Sequence, residues 1–232
     1  MKITEIDVRG VKMKLSTHTK SLELCARMNY ETENLDFIDN MREGATFYDL
    51  GACEGRFSIY AGLKGFKVVA FEPEQMNFET LEQNIRLNVL EHLIKPVNAG
   101  ISSADGSAKI NIGQPWAGGH QKVVEHSEVR SDVNFDFKSK QEIKVVSLDS
   151  FIKSNNLPDS EYLKVDIDGS EIPFLDGAAD SLNSAKKIIF ELSKDDKNYN
   201  QIIERLDGYA LKINDEFMVP NEPGLYNIIF KK

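Results

Sequence analysis

The run Phe47-Tyr-Asp-Leu-Gly51-Ala-Cys-Glu-Gly55-Arg-Phe constrains this chain more than any other stretch. An apolar strand enters a glycine turn, and a helix starts directly behind it. Gly51 permits close approach of the backbone to a ligand, and the new helix presents free N–H groups at the positive end of its dipole. The rhythm then repeats. Thr46–Leu50 and Lys67–Phe71 read as strands, and Ile94–Asn98 as a further one. Gln75–Leu90 reads as a helix with Phe78, Leu81, Ile85 and Val89 along one stripe. Strand and helix in alternation call for a parallel sheet with crossover helices, the doubly wound α/β class.

Around this alternation the chain divides as one domain. Residues 1–45 open with a hairpin over Lys2–Leu15, turning at Arg9-Gly10, followed by helical stretches near Leu22–Tyr30 and Leu35–Met41. Residues 46–232 carry the α/β pattern, interrupted by a polar insertion at about 100–147. That insertion offers strands only at Ser107–Ile112 and Glu142–Ser147. It reads as an antiparallel addition at the sheet's edge with a loop across the site, and Glu125–Lys140 is charged enough to be mobile. Tyr162–Ile167 and Lys187–Leu192 resume the alternation, with a short helix between them. A helix over Tyr199–Leu206 is expected to stop at Gly208 as its C′ residue. Tyr209–Ile213 and Leu225–Phe230 suit a C-terminal antiparallel strand pair.

Two glycines four apart do not make the G-x-G-x-x-G turn of a dinucleotide enzyme, and Ser58 stands where its third glycine belongs. A nicotinamide-dependent dehydrogenase is thereby disfavoured against another nucleoside ligand. Glu72 closes the second strand about 20 residues after the glycine turn, where sheets of this class place the carboxylate that accepts both ribose hydroxyls. A solvated Glu72 capping the helix after Pro73 is the plainer alternative. Asp49, one residue before its strand ends, either accepts a ligand's amino group or braces the loop.

Taken together, these residues resemble a class I methyltransferase that uses S-adenosylmethionine (SAM), and specifically the FkbM family. The likeness runs through Asp49-Leu-Gly-Ala-Cys-Glu-Gly55, Phe71-Glu-Pro73 and Leu81-Glu-Gln-Asn84-Ile-Arg-Leu-Asn88. It continues through Leu163-Lys-Val-Asp166-Ile-Asp168-Gly-Ser-Glu171, Leu175-Asp-Gly-Ala178 and Ile188-Ile-Phe-Glu191. The resemblance implies a Rossmann-like sheet of seven strands with SAM across their C-terminal ends, and O-methylation of a sugar or other small polyhydroxyl metabolite. It also implies Asp49, Gly51 and Ala52 at the methionine end of SAM, beside the Gly55 turn. Glu72 and Pro73 would stand at the ribose, and Ala99-Gly-Ile101-Ser102 near the adenine. One departure stands out: the family usually has Asn where this chain has Cys53, read here as a small buried residue rather than a reactive thiol.

Methyl transfer to a hydroxyl needs alignment and a proton acceptor or a metal. Asp166 and Glu191 end adjacent strands and should share one crevice. Asp166 serves as the base, or joins Glu191 in holding Mg²⁺, or caps the helix near Ser170. Asp168 and Glu171 read as cap or dipole partners of that helix. His120, in a glycine-rich loop with Trp116, is a second candidate base, with Trp116 placed to stack on a sugar ring. His18, His92 and His126 read as surface residues.

Composition narrows the partners. The net charge of −9, with 28 Lys and Arg against 37 Asp and Glu, repels a long polyanion, and no base-holding Asn-Pro-Pro-Tyr-type motif occurs, so nucleic acid is not expected as substrate. No run of about 18 apolar residues and no apolar leader segment appear, so a cytoplasmic enzyme without membrane partners is the expectation. A homo-oligomer joined through the hairpin strand stays open, as does a non-catalytic module that keeps the ligand fold alone.

Overall fold

The computed structural model describes residues 2–120, 122–124 and 136–232. The opening hairpin pairs β1 (Ile3–Val8) with β2 (Val11–Ser16). It is followed by α1 (Lys20–Cys25), α2 (Glu33–Asp39), β3 (Thr46–Leu50), α3 (Arg56–Leu63), β4 (Lys67–Phe71), α4 (Gln75–Leu87) and β5 (Ile94–Val97). The insertion carries β6 (Gly100–Ile101), β7 (Gly106–Ile112), β8 (Lys122–Val124) and β9 (Ser139–Val146). After it come α5 (Leu148–Ser154), β10 (Tyr162–Val165), α6 (Glu171–Asp176), α7 (Ala179–Ser184) and β11 (Lys187–Ser193). The chain closes with α8 (Tyr199–Gly208), β12 (Lys212–Met218) and β13 (Leu225–Lys231).

Seven strands form the main sheet in the order β12-β13-β11-β10-β3-β4-β5. Its members from β11 to β5 run parallel, while β13 is antiparallel to both β11 and β12. The chain winds outward from β3 through β4 to β5, then returns to lay β10 on the other side of β3. Winding therefore reverses between β3 and β10, and a crevice opens at the carboxyl ends of those two strands.

Both faces of the sheet are covered. On β3, Phe47 packs with Ile59, Val68 and Leu81 on one side, while Tyr48 and Leu50 pack with Val69, Leu163 and Phe190 on the other. This is why β3 and β4 read as continuous apolar runs rather than alternating ones. Each such fully buried Leu or Phe contributes about 1.5–3 kcal/mol.

The hairpin joins the first of these cores through Met13 and Leu15. Asn84, fully buried on α4, accepts from Ser16 N at 2.8 Å and donates to Glu54 O at 2.8 Å. One turn on, Asn88 accepts from Lys14 N and donates to Lys14 O, at 2.9 and 2.7 Å. The two asparagines thus bind the hairpin to the helix and to the glycine turn.

Several boundaries differ from the sequence reading. The insertion does not extend the main sheet; it makes its own four-stranded sheet, β6-β9-β7-β8. The expected stripe on α4 loses Val89, which is 73% exposed in left-handed backbone, because the helix has already ended at Leu87. The helix expected over Leu22–Tyr30 stops at Cys25, and Met28 turns left-handed. Gly208 lies inside α8, and Ala210 (φ 62°) makes the left-handed turn instead. Burial of Ile202 and Leu206 keeps Gly208 within α8 as its last residue, so packing overrides the local stop signal. Of the segment expected to be mobile, residues 125–135 and His126 with them lie outside the described residues, while Ser139 and Lys140 open β9. Among the described residues no helix is long and apolar enough to cross a membrane.

Candidate active site

The crevice is built from the backbone outward. Gly51 leaves β3 at φ +84°, and a Cβ there would lie 1.8 Å from the carbonyl oxygen of Asp166. Only glycine lets the ends of β3 and β10 approach this closely. The turn is anchored to the next strand, since Gly51 N and Ala52 N both donate to Phe71 O, at 3.0 and 2.8 Å. Gly55 caps α3 at φ +86°, where a Cβ would meet Leu81 Cδ1 at 2.3 Å. Cys53 between them also takes left-handed backbone, at φ 51°.

Glu72 lies at the end of β4 and is 5% exposed. Its Oε2 accepts from Cys53 N and its Oε1 from Glu74 N, both at 2.9 Å. These two bonds aim the carboxylate and leave a lone pair on each oxygen for a ligand. Burial pushes its pKa up to about 7, against the pull of nearby Lys122 and the two N–H groups. Around it lies a cavity walled by Gly51, Pro73, Ala99, Ile101, Ile110 and His120. That mix of apolar wall and one aimed carboxylate suits a nucleoside.

A larger hollow adjoins it, sharing Gly51, Cys53, His120, Asp166 and Asp168 as common wall. Here Lys164 organises the charges. Its ammonium donates to Asp166 Oδ2 at 2.9 Å and stands 3.8 Å from Asp49 Oδ1. Burial would raise Asp166, but the Lys164 ammonium outweighs it and holds the carboxyl below its ordinary range. For Glu191, half-buried on β11, burial and repulsion from Asp166, Glu31 and Asp168 outweigh the pull of Lys164 and push its pKa well above the ordinary value. Carboxylate oxygens of Asp166, Asp168 and Glu191 all fall within 4.8 Å of one another.

Of the residues singled out from sequence, Gly51, Glu72, Pro73, Ile101, Asp166 and His120 meet at the smaller cavity; Ala52 and Glu191 line the larger one. Asp49 does neither. It is 1% exposed beneath the turn, accepts from Ser58 Oγ at 2.6 Å, and braces the loop. Gly55 packs against Leu81, and Ser102 turns into the insertion sheet, its N–H donating to Val146 O at 2.9 Å. Cys53 is partly rather than fully buried and lines both cavities, while its low solvation raises the thiol well above its usual pKa. Glu171 does bind its own helix start, accepting from Gly169 N at 2.9 Å, but Asp168 faces the crevice instead of acting only as a cap. His18 and His92 are exposed away from the crevice.

The sequence reading missed Lys164, Arg56, Glu31 and Asn77. A lysine inside the apolar strand Tyr162–Val165 was the available signal, since a buried lysine is rare unless paired. Arg56 is held between the rings of Tyr30 and Phe57, 4.1 and 4.5 Å from their centroids, and pairs with Glu31. Glu31 arrives from the distant α1–α2 connection, so no local pattern reveals it.

A family model, Methyltransferase FkbM domain, matches residues 49–213. Among curated proteins, hexuronic acid methyltransferase AglP of Haloferax volcanii is 25% identical over 155 residues, covering 67% of this chain and 59% of that protein. Methyltransferase sdnD of Sordaria araneosa is 26% identical over 168 residues, covering 63% of this chain and 65% of its own length. The chain thus spans under two thirds of either relative. Among solved structures, an FkbM methyltransferase from Methylobacillus flagellatus aligns over 83% of this chain and 45% of its own, with TM-score 0.54 and 18% identity. A precorrin-6y C5,15-methyltransferase from Geobacter metallireducens aligns over 94% and 93%, with TM-score 0.53 and 11% identity. At those identities the two structures speak for the fold alone.

Proposed function

The chain belongs to the FkbM methyltransferase family, and from that premise we propose that it transfers the methyl group of SAM to a hydroxyl of a sugar or other small polyhydroxyl compound. The observation that carries this is an apolar-walled cavity with one aimed carboxylate, continuous with a larger carboxylate-lined hollow. The relative named a hexuronic acid methyltransferase supports a carbohydrate acceptor.

The residues fit the cofactor. Glu72 would accept the two ribose hydroxyls, and Ala99 and Ile101 would flank the adenine. The turn at Gly51 and Ala52 would border the methionine end. When bound, SAM supplies an electrophilic methyl group that leaves on attack by an oxygen nucleophile. What the chain itself adds is placement and proton removal. Lys164 keeps Asp166 ionised and fixed, which suits Asp166 to orient an acceptor hydroxyl as a hydrogen-bond acceptor. Glu191, the more basic carboxylate, suits the role of proton acceptor. His120, exposed at the rim, is a further candidate for that role.

A second reading has a divalent cation at Asp166, Asp168 and Glu191, favoured by the convergence of their oxygens. Against it stands Lys164, whose ammonium already neutralises the first of these ligands. Calorimetric titration with S-adenosylhomocysteine (SAH), SAM and NAD tests the proposal, followed by a screen of neutral sugars, uronic acids and polyols with radiolabelled SAM. Micromolar SAH binding that Glu72→Ala abolishes, with label transferred to a sugar, is the expected result. Binding of NAD without SAM or SAH overturns the cofactor assignment, and label on nitrogen or carbon overturns O-methylation.

A further inference from the structure

The described residues of the strap, 113–120 and 122–124, form a shared wall of both cavities. Gly119, His120, Lys122 and Val124 face the smaller one, and Gln114, Trp116 and His120 face the larger. This strap is pinned at its middle by one side chain. Asn77, 1% exposed in the first turn of α4, accepts from Gly118 N at 2.8 Å and donates to Gly119 O at 3.2 Å. The same amide nitrogen donates to Cys53 Sγ at 3.1 Å. Cys53 in turn donates its backbone N–H to Glu72, the carboxylate of the smaller cavity.

Two glycines let the strap press this close. At Gly118 (φ +73°) a Cβ would lie 2.7 Å from Leu22 Cδ2, and at Gly119 it would lie 2.4 Å from Gln114 O. The remaining anchors avoid the glycine turn. Thr19 Oγ1 donates to Ala117 O at 2.7 Å, Trp116 Nε1 to Ser21 Oγ at 2.9 Å, and Lys122 pairs with Glu74 at 2.7 Å. Asn77 alone among these joins the strap directly to Cys53.

We propose that Asn77 is a positioning residue that couples the cofactor turn to the acceptor-side strap, so that seating the turn around the cofactor also seats Trp116 and His120 over the acceptor. An amide suits the task because one short side chain offers an acceptor to one N–H and donors to a carbonyl and a sulfur at once. Coupling of this kind is a free-energy link between two sites and runs in both directions. It makes the two sites fill together, each ligand raising affinity for the other. The proposal rests on the SAM reading above.

Trp116 is the sole tryptophan of the chain and sits on the strap, so its fluorescence reports seating directly. Acrylamide quenching of Trp116, with and without SAH, is measured for wild type, Asn77→Asp, Cys53→Ala and Thr19→Val. SAH affinity is followed in parallel by calorimetry. The aspartate keeps the acceptor and loses both donors; Cys53→Ala cuts the same link from its other end, with little risk to folding. SAH is expected to protect Trp116 about threefold or more in wild type, in line with one or two buried hydrogen bonds. Asn77→Asp and Cys53→Ala should lose most of that protection while SAH still binds. Thr19→Val should loosen the strap in both states and keep the SAH-dependent change. SAH binding to wild type without protection, or full protection in both uncoupling variants, overturns the proposal. So does an equal loss of protection in Thr19→Val. Failure of SAH to bind wild type shows separately in the calorimeter, and removes the cofactor reading together with this one.

Discussion

Lys164 and Asp166 stand two residues apart on the same side of the strand, and the ammonium of the first lies 2.9 Å from the carboxylate of the second. Period-two alternation along a strand gives them that common side. Lys164 also faces Asp49 below, so one buried cation serves two carboxylates at the floor of the crevice.

Replacing Lys164 with Met should therefore cost about 3 kcal/mol at pH 7, the lower end for a broken buried pair, because Asp166 is a third exposed. The sign of the pH dependence follows from the shifts. Asp166, held low, contributes stability above the unfolded pKa that is lost as pH falls through its lowered value. Lys164, held high, contributes stability that is fully present below its unfolded pKa and is lost as pH rises from there through its raised value. At pH 5 Asp49 and its neighbours protonate readily once the lysine is gone, and the deficit should shrink. Urea unfolding of both proteins at pH 5 and 7 checks this. An equal deficit at both values would mean that lost packing, not lost charge pairing, explains the effect.

Glu72 carries the second prediction. With its pKa raised to about 7 by burial, the ionised form that accepts two ribose hydroxyls is scarce at pH 6. SAH affinity should drop about tenfold between pH 8 and pH 6, the change in ionised fraction for such a group. Because the folded pKa lies above the unfolded one, Glu72 also favours the folded state at low pH, and that contribution fades as pH rises from about 4.3 toward 7. Calorimetry across this range reads the first effect. A flat SAH affinity would remove Glu72 from the ribose.

The two crevice carboxylates should separate kinetically. Glu191→Gln is expected to lower kcat by about 10²–10³ and to abolish the acidic limb of the pH–rate profile. Asp166→Asn should lower kcat less and leave that limb in place, since Asp166 is already ionised there. If the limb disappears with Asp166→Asn and survives Glu191→Gln, the two roles are exchanged.

Full activity should survive exhaustive dialysis against EDTA. Loss under chelation, restored by Mg²⁺ or Mn²⁺ and absent in Asp168→Asn, would move the reading to the divalent cation at the three converging carboxylates.

Much of the fold was legible because its signals are local. Apolar runs at Thr46–Leu50 and Lys67–Phe71, and the glycines that follow the first, mark strands buried on both faces and the turn between β3 and α3. Glu72 was legible for the same reason, as a carboxylate at a strand end. The rest depends on contacts between distant segments. Glu31 reaches Arg56 across 25 residues, and Asn77 reaches Gly119 across 42. Gly208 misled because a C′ signal yields to tertiary burial of the helix that carries it. For Asp49 the sequence left two roles open, ligand contact or loop brace, and the packing of Ser58 and Lys164 against it favours the brace.

Asn84 and Asn88 show that the recognisable stretch of a protein and its folding unit need not coincide. The family model begins at residue 49, yet the buried Met13 and Leu15 lie well before it, and Phe230 lies beyond its end. The hairpin that Asn84 grips also bears, through Glu54 O, on the turn that shapes the crevice. Chimeras between relatives that exchange only the matched region will split a single core across two ancestries. Crossovers should therefore keep residues 13–16 with the helix that holds them, and inherit the two asparagines and the hairpin as one heritable block.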